Sequence, residues 1–375
     1  MGKMIKLSKS DIGFLEIFSV IKTLRKSYLG MGDEVQKFEN KLKHFFGREV
    51  VCVANGTAAI QLALESCQIG KGDEVLVPSF TFLATYQAIS ATGATPISCD
   101  IDLKTLIIDI DDAKNKWTTK TKAIIPVYFT GGYGDINAIY DFAKEKNIRV
   151  IEDAAHAFGS RFENKLIGSF GDISCFSFDG IKNITSGEGG CVVTNDRTLI
   201  ETIKNKRLLG VINDTENRYL GKRSWTFDVT EQGWRYHMSN IMASIGIVQL
   251  KRFKYFSTKR RKLAKLYDSL LTNSESIKPI LRNYDDVVPH IYVVQIDSKF
   301  ERNYIRQELQ KKNIEIGFHY FPNHLLSYYN INEKLPQTEK IFKNLISLPL
   351  HTKLKTTDVK YVANTLIEIL AKNEN

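Results

Sequence analysis

The chain has 375 residues, more than one ordinary core holds, so two lobes are expected, one large and one small. Hydrophobic residues at 43% and charged residues at 25% fit a soluble globular protein, and no run of eighteen apolar residues offers a transmembrane helix. Lys and Arg total 52 against 42 Asp and Glu, and this net charge of +10 leaves open a nucleic-acid binder or an enzyme for phosphorylated anions.

Residues 1–10 have no apolar stretch of the kind that opens a secretory signal, and Lys6 stands where a myristoylation signal needs Ser or Thr. A cytoplasmic protein is expected. Residues 11–27 have helical periodicity, with Ile17, Val20, Ile21 and Leu24 on one face. From about 50 to 195, short β-branched runs alternate with helical stretches. Strands are predicted at 50–53, 74–77, 95–99, 123–129, 149–151, 173–178 and 191–194, and helices at 57–67, 81–92 and 136–147. This alternation predicts a mostly parallel sheet covered on both faces. After about 250 the character changes to a long basic helix, a strand at 291–296, a helix at 302–313 and a last helix near 357–372. The expected division is a large domain over 1–250 and a smaller α+β domain over 251–375. No repeat or low-complexity linker separates them.

The densest basic stretch contains Lys251, Arg252, Lys254, Lys259, Arg260, Arg261, Lys262 and Lys265. No zinc-finger or RNP signature accompanies it, so it reads as a solvated helix face rather than a nucleic-acid surface. The five cysteines, Cys52, Cys67, Cys99, Cys175 and Cys191, form no CxxC pair. Free thiols are expected, with neither a disulfide framework nor a zinc site.

In an open parallel sheet, ligands collect at the carboxyl ends of the strands. Three segments just past strand ends stand out. Asn55-Gly56-Thr57-Ala58-Ala59 joins a strand to a helix, and its small residues leave helix N-terminal N–H groups open to an anion. A plain Thr cap on a tight turn would look the same. Glu152-Asp153-Ala154-Ala155-His156 puts a carboxylate at a strand end, either as a helix cap or facing a cationic ring nitrogen; no third ligand stands nearby for a metal. Phe176-Ser177-Phe178-Asp179-Gly180-Ile181-Lys182-Asn183 precedes Gly187-Glu188-Gly189-Gly190. A lysine between an apolar strand and a glycine-rich turn would be desolvated, and a neutral amine can attack an aldehyde; an ordinary exposed loop lysine is the alternative, opposed by Ser177 and the glycines around it.

These segments, with Pro-Ser-Phe-Thr-Phe-Leu-Ala-Thr at 78–85, resemble the DegT/DnrJ/EryC1/StrS family, pyridoxal-phosphate-dependent aminotransferases of nucleotide sugars. The resemblance covers nearly the whole chain. It implies an α/β protein of pyridoxal-phosphate fold type I, like aspartate aminotransferase, with a mostly parallel mixed sheet in the large domain. Lys182 would carry the cofactor as a Schiff base and then move the proton, and Asp153 would pair with the protonated pyridine nitrogen. Gly56, Thr57 and Ser177 would hold the phosphate, and Phe82 would lie on the ring face. His156 falls where most relatives have Gln, near the phenolic oxygen. Arg235, in Gln232-Gly233-Trp234-Arg235-Tyr236-His237-Met238, falls on a loop that reaches the partner subunit's cofactor phosphate, where relatives often have Asn. Glu188 and the segment of His319 and Tyr320 would lie near the substrate. A homodimer with shared active sites is implied, with no membrane or nucleic-acid partner.

Relatives that dehydrate sugars carry His in place of the lysine, so Lys182 favours transamination. Asp179-Gly180-Ile181 before it, with 214–225, looks most like dTDP-sugar enzymes of the VioA type, which make 4-amino-4,6-dideoxyglucose from the 4-keto sugar. L-Glutamate is the expected amino donor, and O-antigen or another surface glycan the expected destination. Amination at C-3 is the alternative, although those enzymes more often have Tyr-Pro-Gly before the lysine. A non-catalytic regulator of the same fold would need a DNA-binding domain for which residues 1–50 leave no room.

Overall fold

The computed structural model describes residues 4–330 and 333–372. Helices α1 (Phe14–Arg25) and α2 (Asp33–Phe46) come first. Strands β1 (Glu49–Val53), β2 (Glu74–Pro78), β3 (Thr95–Cys99), β4 (Thr121–Ile124) and β5 (Arg149–Asp153) alternate with α3 (Gly56–Ser66), α4 (Leu83–Ala91), α5 (Ile110–Lys116) and α6 (Ile136–Lys146). A short hairpin, β6 (Arg161–Phe162) and β7 (Lys165–Leu166), precedes β8 (Ile173–Ser177) and β9 (Gly190–Thr194). Without the hairpin these strands form one sheet in the order β1-β9-β8-β5-β4-β2-β3. Pairing is parallel from β3 through β8, and β9 runs against both β8 and β1.

Every residue of β8 and β9 is buried, as expected of a sheet covered on both sides. Side chains alternate between two cores. Val51 and Val53 of β1 join Ile60, Leu64 and Val77 on one face, while Val50 and Cys52 join Phe38, Phe46, Phe158 and Phe176 on the other.

Helices α7 (Arg197–Lys206) and α8 (Asp214–Tyr219) lead to α9 (Asn240–Leu271). With 32 residues, α9 is about 48 Å long. It packs on α1 and α2 at one end and on α12 (Thr356–Lys372) at the other, so one rod runs through both lobes. Position 250 therefore lies inside a helix. The smaller lobe has an antiparallel sheet of β10 (Ile277–Pro279), β11 (Tyr292–Ile296) and β12 (Leu345–Leu348), with α10 (Arg302–Lys311) and α11 (Pro336–Asn344). It has its own core of Leu263, Tyr267, Val294, Ile346 and Leu366. Ile5 pairs with Ile314, so the amino-terminal segment joins this lobe.

Three local expectations are corrected. The predicted helix at 81–92 begins at Leu83, because Phe82 is extended and caps it. The predicted strand at 123–129 stops at Ile124. Pro126 has no N–H for a ladder, and a 3₁₀ turn at Phe129–Gly131 follows. Within the basic stretch, Arg260 is not solvated but 4% exposed.

Candidate active site

The carboxyl ends of β1, β5 and β8 face one cleft of about 450 Å³. Its wall includes Gly56, Thr57, Phe82, Asp153, His156, Ser177, Lys182, Glu188, His319 and Tyr320. The cleft thus gathers every residue that the sequence singled out except Arg235. That side chain is exposed on the segment leading into α9, and nothing in this single chain brings it to the cleft.

At the end of β1, Asn55 caps α3 by accepting from the Ala58 amide at 2.8 Å. The first-turn N–H groups of Gly56 and Thr57 have no helical acceptor. Ser177, the last residue of β8, lies against this turn. A Cβ on Gly56 would stand 2.9 Å from Ser177 Cβ, so only glycine lets the two approach. Turn and serine together make a small polar cradle at the positive end of a helix, which suits a phosphate.

Asp153 ends β5 and is 6% exposed. Its Oδ2 accepts from the Thr85 hydroxyl at 2.7 Å and its Oδ1 from the Ala155 amide at 3.2 Å. Burial nevertheless pushes its pKa up, against these hydrogen bonds and the nearby charge of Lys182. A buried carboxylate in this condition calls for a cation. Thr85 closes the segment at 78–85, and no local pattern marks it as a partner of Asp153. Its use appears only once α4 is packed against β5.

His156 stands one turn beyond Asp153. Its Nδ1 accepts from the Thr130 amide at 3.3 Å, and its Nε2 lies 3.1 Å from the Tyr320 hydroxyl. Burial holds the ring neutral, well below the usual histidine range. With Nδ1 accepting, the proton is assigned to Nε2, which donates to Tyr320; the tyrosine proton is then free to be donated. His319 shares a hydrogen bond of 2.7 Å with Ser347 and is pushed down to about 4 by burial.

Lys182 lies in a tight loop. Its amide donates to the Asp179 carbonyl at 3.1 Å, and Asn183 Nδ2 donates to the Phe158 and Val288 carbonyls, both at 3.2 Å. Burial lowers the Lys182 pKa to about 8, partly opposed by Asp153 and Asp179, with the charge of Arg260 adding to the lowering. At neutral pH about a tenth of the amine is therefore neutral, far more than for an ordinary lysine. Phe82 remains 59% exposed, its ring 5.5 Å from that of Tyr320. Glu188 is exposed at the mouth, and its pKa is raised by burial and then by Asp179.

An amine made nucleophilic by burial, a carboxylate short of a cation and an anion cradle fit an aldehyde cofactor with a basic ring nitrogen and a phosphate. The fold and the cleft define a pyridoxal-phosphate enzyme of fold type I. The family model for the DegT/DnrJ/EryC1/StrS aminotransferase family matches residues 11–367, and the chain belongs to this family. It is 38% identical to GDP-perosamine synthase of Escherichia coli O157:H7 over 341 residues, 90% of each chain. It is 34% identical to the spore coat polysaccharide biosynthesis protein SpsC of Bacillus subtilis over 371 residues, 96% of this chain and 95% of the other. Among solved structures, the pyridoxal-phosphate form of the sugar aminotransferase Spr1654 from Streptococcus pneumoniae, itself described as putative, superposes with a TM-score of 0.90. It shares 31% identity, over 98% of this chain and 99% of that one. The protein is a sugar aminotransferase, and its cofactor is pyridoxal phosphate. No helix among the described residues is long and apolar enough to cross a membrane.

Proposed function

We propose that the protein transfers the amino group of L-glutamate to a nucleotide-linked keto-deoxysugar in the cytoplasm. The acceptor is dTDP-4-keto-6-deoxy-D-glucose, the product dTDP-4-amino-4,6-dideoxy-D-glucose, and the destination an O-antigen or another surface glycan. The observation that carries the reading is the placement of desolvated Lys182 and buried Asp153 in one cleft.

Pyridoxal phosphate, when bound, supplies the electron sink that lets the carbon beside the nitrogen lose its proton. Lys182 Nζ would hold the cofactor and, when free, would take and return that proton. Asp153 would pair as a carboxylate with the ring nitrogen and favour its protonated form. Gly56, Thr57 and Ser177 would hold the phosphate, and Phe82 and His156 would contact the ring. Glu188, His319 and Tyr320 contact the sugar. Arg235 completes the phosphate site of a second subunit by a charge-assisted contact. A homodimer is supported by apolar surface left uncovered in one chain, on α1 at Phe18, Ile21 and Leu24 and, ahead of Arg235, at Trp225 and Phe227.

The test incubates the holoenzyme with L-glutamate and, separately, the dTDP- and GDP-linked 4-keto-6-deoxyhexoses. The yellow cofactor band should bleach with glutamate and return with the dTDP sugar, and NMR of the product should place nitrogen on C-4. An unbleached band sinks the glutamate assignment. Inertness toward the dTDP-4-keto sugar with turnover of a dTDP-3-keto-6-deoxyhexose supplied in its place, or turnover confined to the GDP sugar, overturns the proposed acceptor.

A further inference from the structure

Arg260 projects from the middle of α9 into the junction of the two lobes. Its hydrogen bonds all go to backbone carbonyls. Nη1 reaches His290 at 2.9 Å, and Pro289 and Leu350 at 3.4 Å; Nη2 reaches Ile181 at 3.4 Å. Nε has no partner. Buried guanidinium groups ordinarily bring a carboxylate with them. Among the described residues none lies within ion-pair distance. The nearest in effect is Asp11, whose own oxygens already hold Thr352, Arg252 and Lys353. Burial accordingly lowers the Arg260 pKa to about 10, which still leaves it charged at neutral pH. Arg260 and Lys182 also border the same narrow gap behind the cleft, with Ser10 and Asn183.

We propose that Arg260 is a positioning residue for Lys182. It ties the lysine loop, through the Ile181 carbonyl, to Pro289 and His290 of the smaller lobe, and it sets a buried positive charge without an ion-pair partner behind the amine. The inference rests on the reading that Lys182 holds the cofactor. A fixed cation disfavours the ammonium form, so more of the amine is neutral when pyridoxal phosphate arrives. Other groups facing Lys182 act differently. Asp153 from β5 and Asp179 from the same loop favour the ammonium. His156, His290 and His319 lie near it and are kept neutral by burial. On the far side, Arg260 faces Asp11, which partly offsets its charge, and His290 and His351, which are neutral. Lys9 borders the same gap but is exposed to solvent, so the buried positive charge next to the lysine loop is that of Arg260.

The test follows the rate at which cofactor-stripped protein takes up pyridoxal phosphate, by absorbance, from about pH 6 to about pH 10. That rate tracks the neutral fraction of the receiving amine, and its midpoint in the native protein is expected at about 8. Arg260→Gln and Arg260→Met remove the charge and should raise the midpoint above that of the native protein. Two neutral replacements of different shape guard against a packing defect in either one; a buried charge replaced by a side chain of similar volume is often tolerated. Arg260→Lys, with charge kept and the fork lost, should restore a midpoint near the native one. A native midpoint in either folded neutral variant overturns the proposal, as does a shift in Arg260→Lys equal to theirs. If Lys182→Ala still shows the absorbance change, the assignment of Lys182 has failed rather than the role of Arg260.

Discussion

Asp153 receives hydrogen bonds from Thr85 and the Ala155 amide, yet burial still raises its pKa. A carboxyl whose folded pKa exceeds its unfolded value binds its proton more tightly when folded. Stability is then lost as pH rises through the ordinary carboxylate range, up to the folded pKa. At neutral pH the apoprotein bears that loss, and a cationic ring nitrogen removes it. Apo Asp153→Asn should therefore melt about 2 °C above apo wild type near pH 7, while with cofactor bound the order reverses. Calorimetry of the four samples checks both halves, and equal apo melting points would contradict a costly buried charge. For Lys182→Ala, turnover should vanish while pyridoxamine phosphate and aminated product still bind, measured by titration calorimetry. Full activity in that variant would remove Lys182 from the chemistry. His156 is neutral and serves as a hydrogen-bond donor, so His156→Gln should retain activity within about tenfold, whereas His156→Ala loses more. A pH–rate profile from purified variants distinguishes these, and the wild-type profile should lack a His156 titration near the usual histidine pKa.

At the scale of elements, the start of α3 and the end of β8 must nearly touch. The Gly56 position tolerates no side chain because Ser177 occupies the space. Gly56→Ala should push the two apart and cost about 1–3 kcal/mol of stability. It should also weaken pyridoxal phosphate binding more than it weakens binding of pyridoxal without phosphate. Equal losses for both ligands would mean that this turn does not form the phosphate cradle. Helix α1 raises a different issue. Its buried residues are Glu16 and Thr23, and Glu16 accepts from Arg252 at 2.6 Å and from Gln249 at 2.8 Å on α9. Of the face read from the sequence as apolar, Ile17, Ile21 and Leu24 point outward instead, and Val20 is half-buried. The polar side holds the helix on its own chain, and the apolar side is left for another contact.

At the scale of the molecule, that outward face and the segment carrying Arg235 support a dimer with composite sites. Replacing Phe18 and Ile21 by Glu should shift the sedimentation coefficient from dimer to monomer; an unchanged value would place the interface elsewhere. Complementation tests the sharing directly. Mixed in equal parts and allowed to exchange, inactive Lys182→Ala and impaired Arg235→Ala subunits form heterodimers with one intact site each. About a quarter of native activity should return. No recovery after verified exchange would show that Arg235 does not serve the neighbouring site.

Much of the active site was legible because its chemistry sits in short segments at strand ends. The Asn-Gly-Thr turn, the Asp-Ala-Ala-His segment and the Lys182 loop each follow a short strand, and the parallel sheet aligns such ends by construction. The alternation of strand and helix likewise fixed the α/β class. Local pattern could not decide what depends on packing from a distance. Thr85 supports Asp153 across 68 positions, and His156 meets Tyr320 across 164. The Ala123–Phe129 stretch had strand composition, but Pro126 removed the donor a ladder needs. Arg260, within a run of cations that look alike in sequence, turns inward because α9 passes between the lobes, and its charge bears on Lys182 only in the folded chain. The sequence by itself determined the fold class, the family and the residue types of the cleft, since these follow from periodicity and short motifs. Tertiary structure alone decided which groups stand desolvated beside one another, because burial and electric field belong to the packed molecule.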